Sequence, residues 1–317
     1  MTVAAILLAY AACLGTLGAR MLGRAEWTAR APRLAIATYL AAAWSVVAAL
    51  GLAGLTLAVH ATALADGLSH LIGACVLRLR DTYATPGGAA VAGLGLSLAG
   101  VVAACITITA VTHLSAVRRQ ALLHAQTVRL IGRPEPALGA TLVDHAQPSA
   151  YCVAGPHPTV ILTTGALAAL DPEQVKAVLA HERAHLARHH HRMLAIARIG
   201  RQVFPFIPLM RDLDAHVTRL VEMHADDAAT GARDARPLAT ALVVLASAAS
   251  PVPVPAAAAA ATDAVQRIQR LLGPAETLGW GRRQMLRAGV AALALTPMLI
   301  ALTPALIALT LGRVPGG

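Results

Sequence analysis

The chain has 317 residues, 57% of them hydrophobic and only 13% charged, with a mean hydropathy of +0.63. A soluble domain carries about 25% charged residues, so the composition excludes an ordinary soluble enzyme and points to membrane spans. The net charge of +10 is nearly all arginine, with Lys176 the single lysine. In a membrane protein such an excess reads as cytoplasmic loops rather than a nucleic-acid surface. The abundance of alanine and arginine suits a GC-rich bacterial genome.

Four apolar stretches reach the roughly 20 residues needed to cross a bilayer. They are residues 3–18, 34–59, 89–111 and 288–311. The first has no basic segment before it and is followed by Arg20 and Arg24, which favours an uncleaved span over a signal peptide. Arg20, Arg24, Arg30 and Arg33 outweigh Glu26 in the first loop, so it should face the cytoplasm. The second loop balances Arg78 and Arg80 against Asp66 and Asp81 and should face outward. Arg118 and Arg119 follow the third span, and Arg282, Arg283 and Arg287 precede the fourth. These flanks predict N-terminus out, central segment in and C-terminus out. His60, His70 and His113 fall at span ends and read as interfacial. The four cysteines (Cys13, Cys75, Cys105 and Cys152) show no C-x-x-C spacing, which argues against a disulfide framework or a thiolate zinc site.

The predicted fold is mainly α: four transmembrane helices plus a small cytoplasmic α+β domain between spans three and four. Residues 1–112 hold three spans and residues 113–250 the domain. Residues 251–287 hold a Pro/Ala linker and a juxtamembrane helix, and residues 288–317 the fourth span and a short tail. Within the domain, residues 127–131 read as a strand. Residues 150–152 and 159–163 read as a hairpin around Gly155-Pro156. Asp171 is a good N-cap, Pro172 suits the first helical position, and Gln174 can close a capping box. The helix so begun carries Val175, Val178, Leu179, His181, His185 and Leu186. Phe204 to Leu209 either dips against the membrane or forms a loop under the core. A second helix spans residues 214–230. The linker covers 251–261, and residues 263–272 form a short helix.

His181-Glu182-Arg183-Ala184-His185 is an H-E-x-x-H string on that first helix. Histidines four apart share a face, so both imidazoles can reach one ion. A catalytic zinc needs three protein ligands and an open position for water. Glu222 is the best third ligand, and His224 in its place would give a three-histidine site. Asp226, one turn beyond Glu222, can fix the tautomer of a ligand histidine. Glu182 is the general base that takes a proton from the attacking water. His224, His216 or Tyr151 could stabilise the transition state. Arg219 could brace Glu222 or lie on the surface. The run His189-His190-His191 reads as a solvated helix end, and Cys152 as a small buried residue rather than a nucleophile.

The chain resembles the BlaR/MecR-type integral membrane zinc metallopeptidases. The resemblance rests on His181 to Leu186 after Asp171-Pro172-Glu173, on Tyr151-Cys152-Val153-Ala154-Gly155, and on Glu222-Met223-His224-Ala225-Asp226. It covers roughly residues 115–275, most strongly 150–230, and the order of three spans, protease and one span agrees. It implies a gluzincin-like domain with zinc on His181, His185 and Glu222 and with Glu182 catalytic. Well-known members sense β-lactams through an outer penicillin-binding domain and trigger cleavage of a cytoplasmic repressor. Only a few residues follow the fourth span here, and no S-x-x-K motif lies outside, so the expectation is a short form without that sensor. HtpX-type heat-shock proteases share the motif but place two spans before it, and they rank second. A catalytically silent scaffold ranks behind both, because it would not need the base. The expected partners are the bilayer and a protein substrate, such as a DNA-binding repressor or the enzyme itself. No direct nucleic-acid binding is expected, and a homo-oligomer is allowed. The expected location is the bacterial cell membrane, multi-pass.

Overall fold

Among the described residues, four helices are long and apolar enough to cross a membrane. The computed structural model describes residues 2–58, 88–155, 157–231, 234–248, 254–274 and 278–311. The second loop and its charges, with Cys75, His60 and His70, lie outside the described residues. The first span, α1, covers Thr2–Gly23 and contains a π-helical turn at Leu14–Gly18. Helix α2 covers Pro32–Ala58. Helix α3 runs unbroken over Gly88–Ile131, 44 residues or about 66 Å. The boundary expected at 112/113 therefore falls inside one rod, which also contains His113. Helices α2 and α3 touch through glycines. A Cβ on Gly54 would lie 2.6 Å from the Gly95 carbonyl oxygen, and one on Gly95 would lie 2.5 Å from the Gly54 oxygen. Small residues of this kind let spans pack backbone to backbone.

The strand expected at residues 127–131 is instead the last part of α3. Its β-branched residues suggested a strand, but the helix continues so that Val128 can bury against Val153 and Ile161. The sheet begins one residue later. Strands β1 (Gly132–Glu135), β2 (Ala140–Val143), β3 (Ala150–Val153) and β4 (Thr159–Thr163) form a sheet of order β1-β2-β4-β3. The β2/β4 pair is parallel and the other two pairs are antiparallel. The expected hairpin is present as β3 and β4, with Tyr151 opposite Ile161 and Cys152 opposite Val160.

Helix α4 (Thr164–Ala169) leads into α5 (Pro172–Ala187), which starts as the sequence predicts. The Asp171 carboxylate accepts from the backbone N–H groups of Glu173 and Gln174, both at 2.9 Å. Gln174 Oε1 accepts from Asp171 N–H at 3.0 Å. A cap of this kind is worth about 1 kcal/mol. Val175, Val178 and Leu179 then bury against Val160 and Leu162 of the sheet. Each such side chain contributes about 1.5–3 kcal/mol.

Helices α6 (His190–Val203) and α7 (Pro208–Thr230) form a hairpin. Helix α7 starts six residues before the expected 214, with Pro208 in its first turn. Leu213, Val217, Leu220 and Val221 of α7 share one core with Leu7 of α1 and with Tyr39 and Val46 of α2. In the Phe204–Leu209 tip, Phe204 and Leu209 are buried in that same core, while Phe206 is exposed. Ile207 fills a notch at Gly15, where a Cβ would meet its Cγ2 at 2.7 Å. Helix α8 covers Arg236–Ala248 and α9 covers Val254–Leu272. The Pro/Ala stretch is therefore helical from Val254 rather than a linker, since Pro255 lies in the first turn and alanines follow. Helix α10 runs over Trp280–Leu311 and starts before the expected 288.

Candidate metal centre

Helix α5 carries both histidines and α7 carries the carboxylates. His181, His185 and Glu222 offer ligand atoms within 4.8 Å of one another. His181 Nε2 and His185 Nε2 lie 3.0 Å apart. Glu222 completes the triangle at 3.5 Å from His181 Nε2 and 3.6 Å from His185 Nε2. Ligands about 2.1 Å from a tetrahedral zinc stand about 3.4 Å from each other, so this donor set fits such an ion. The remaining nitrogens are also engaged. His181 Nδ1 lies 3.0 Å from Asp226 Oδ1, and His185 Nδ1 lies 3.1 Å from His190 Nδ1. Partners on Nδ1 leave Nε2 for the metal and fix the rings.

Two residues complete this arrangement that the sequence reading did not assign to it. Arg267, on α9, grips Asp226 with two bonds of 2.8 and 2.7 Å and reaches Glu222 at 3.0 Å. It braces Glu222 in place of Arg219, whose nearest partner is Gln266 at 3.4 Å. The available signal was Arg267 and Arg270 one turn apart, matching Asp226 and Asp227, and Arg270 meets Asp227 at 2.5 Å. The second residue is His190. It is 1% exposed, not solvated, and its Nε2 lies 3.0 Å from His224 Nδ1. His189 adopts φ 53°, ψ 39° and turns the chain so that His190 points back at His185.

The charges follow from this geometry. Burial disfavours a cation at His181, but the Asp226 and Glu222 carboxylates outweigh it and raise its pKa to about 9. Burial lowers His185 to about 4. Burial also opposes the Asp226 carboxylate, yet Arg267 and His181 hold it at about 2. Glu182 is pushed up, chiefly by burial and then by Glu222, with His181 pulling the other way. A carboxyl raised in this manner is suited to proton transfer near neutral pH. Burial, and then the nearby Glu182 carboxyl, push the Cys152 thiol up to about 12. It stays a neutral thiol rather than a nucleophile.

Strand alternation puts Tyr151 on the sheet face opposite Cys152. Its hydroxyl meets His124 Nε2 at 3.0 Å on the α3 side, so the structure does not bring Tyr151 to the group as expected. His216 stacks on Tyr39 at 5.0 Å instead. His224 is buried behind His190, one remove from His185.

The family model of peptidase family M48 matches residues 115–275, which include every member of this group. No curated protein and no solved structure matches the chain. The match lends no support to the BlaR/MecR type in particular. With half of its length matched, and with four helices apolar enough to cross a membrane, the chain belongs to peptidase family M48 and is a membrane-associated metallopeptidase.

Proposed function

We propose that the chain is an integral membrane zinc endopeptidase in which His181, His185 and Glu222 hold the ion and Glu182 is the general base. The observation that carries this reading is the 3.0–3.6 Å triangle of donors beside the buried Glu182 carboxyl. Zinc in such a site acidifies water and polarises a peptide carbonyl. Glu182 takes the proton of the attacking water on its carboxylate and returns it to the departing amide nitrogen. Its raised pKa keeps both forms accessible during that exchange. Asp226 and Arg267 position the ligands: the Asp226 carboxylate faces His181 Nδ1 at 3.0 Å, and Arg267 keeps Glu222 and Asp226 from repelling each other.

The site would face the cytoplasm. Arg30 and Arg33 of the first loop line one cleft with Arg283 and Arg287 of α10, so the basic ends lie together on the side of the peptidase domain. The substrate in this reading is a cytoplasmic protein, a repressor or the enzyme itself, cleaved in regulated signalling. That role rests on the resemblance to BlaR/MecR-type proteins. Membrane quality control of the HtpX kind is the second reading, carried by the shared H-E-x-x-H motif.

Metal content and product profiling test the proposal. Purified wild type should hold about one zinc per chain, His185→Ala should hold none, and Glu182→Gln should keep the zinc and lose proteolysis. Zinc in none of the three, or full proteolysis by Glu182→Gln, refutes it. Comparing products of wild type and Glu182→Gln membranes separates the two roles. One cleaved protein fits signalling, and many fit quality control.

A further inference from the structure

A second site stands at the ends of two spans, apart from the metal ligands. A cleft of about 470 Å³ is lined by Arg30, Arg33, Arg283, Arg287, His224 and Asp227. Its volume lies within the range of small-molecule sites. Four guanidinium groups face one carboxylate, and Arg270 already holds that carboxylate at 2.5 Å. Arg30 has Glu26 at 3.8 Å among its partners, so the excess rests on Arg33, Arg283 and Arg287. The cleft therefore keeps a strong positive excess.

Its other wall is aliphatic. Leu34 and Ala37 of α2 and Val290 of α10 line it, and both helices continue as apolar spans. Trp27 and Trp280 lie one turn before Arg30 and Arg283, and Trp280 is 78% exposed. Tryptophan so placed marks the headgroup level of a bilayer. An occupant must be anionic at one end and apolar at the other.

We propose that this cleft binds the phosphate of an anionic phospholipid, with its acyl chains against Leu34, Ala37 and Val290. The arginines supply charge-assisted hydrogen bonds to phosphate oxygens, and guanidinium suits that geometry. His224 lines the same cleft with its Nδ1 turned to His190. His224, His190 and His185 follow one another at 3.0 and 3.1 Å, so the headgroup would sit three side chains from the candidate ion. The proposal does not depend on zinc or on peptidase activity.

The test uses full-length protein in phosphatidylcholine vesicles and reads tryptophan fluorescence. Brominated phosphatidylglycerol should quench it more than brominated phosphatidylcholine at the same mole fraction. The preference should weaken about five-fold per arginine removed, or about thirty-fold in Arg33→Gln/Arg283→Gln. Arg33→Lys/Arg283→Lys should keep most of it. An unchanged melting temperature in each variant confirms the fold. Inorganic phosphate alone should leave the quenching as it is. Equal quenching by the two lipids in wild type overturns the proposal. So does an unaltered preference in the glutamine variant. Relief of quenching by inorganic phosphate would make the ligand a soluble anion and overturn it as well.

Discussion

Arg267→Ala tests the charge balance on which the centre rests. Arg267 is 13% exposed and Asp226 is fully buried. The guanidinium gives Asp226 two bonds of 2.8 and 2.7 Å and reaches Glu222 at 3.0 Å. Removing one partner of a buried pair leaves an uncompensated charge, at a cost of about 3–5 kcal/mol. That figure rests on Asp226, because Glu222 is 34% exposed and solvent screens part of its share. At about 2–4 °C per kcal/mol for a domain of this size, the metal-free protein should melt roughly 6–20 °C lower. Zinc changes the sum: an ion on Glu222 offsets one carboxylate, and a metallated His181 donates more strongly to Asp226. The loss should therefore be smaller with zinc, so zinc should raise the melting temperature of Arg267→Ala more than that of wild type. Arg267→Lys should fall between the two, since one ammonium cannot reproduce the fork on Asp226. The assay is thermal unfolding of detergent-solubilised protein at one scan rate, with chelator and with zinc. A metal-free loss under about 2 °C, or an equal zinc shift in both proteins, would refute the reasoning.

Four further outcomes are expected. Glu182→Gln should lower peptide hydrolysis about 10²–10⁴-fold while keeping its zinc; loss of the metal would make Glu182 a ligand rather than a base. Without metal His181 titrates at about 9 and His185 at about 4. Zinc binding at pH 7 should thus release about one proton, from His181, and apparent affinity should fall about tenfold per pH unit below 9. Calorimetry in two buffers of different ionisation enthalpy measures this, and zero release contradicts the assignment. His190→Ala should weaken zinc binding about 10–100-fold by freeing His185 Nδ1, whereas exposed His189→Ala should not; a chelator competition compares them. Gly54→Val should lower the melting temperature by forcing α2 off the Gly95 carbonyl, while Gly51→Val, with no atom within 4 Å, should not; equal melting would remove the glycine contact from the account.

What could be read from the sequence was what local rules decide. The start of α5 follows from Asp171, Pro172 and Gln174, and the pairing of His181 with His185 follows from helical spacing. What could not be read depends on the path of the chain. The strand expected at 127–131 rested on β-branched composition, which a 44-residue helix overrode once Val128 found the sheet. His190 read as solvated because a helix continued past Arg188 would carry it outward, whereas the left-handed turn at His189 sends it inward. Arg267 lies 41 residues from Asp226, beyond any local pattern. Its existence was still implied. Glu222 and Asp226 share a helix face, and a metal can neutralise the ligand but not the carboxylate behind it. A buried carboxylate without a cation costs several kcal/mol, so the fold had to return an arginine to that face. Helix α9, read as linker over its first eight residues, is the element that brings it back.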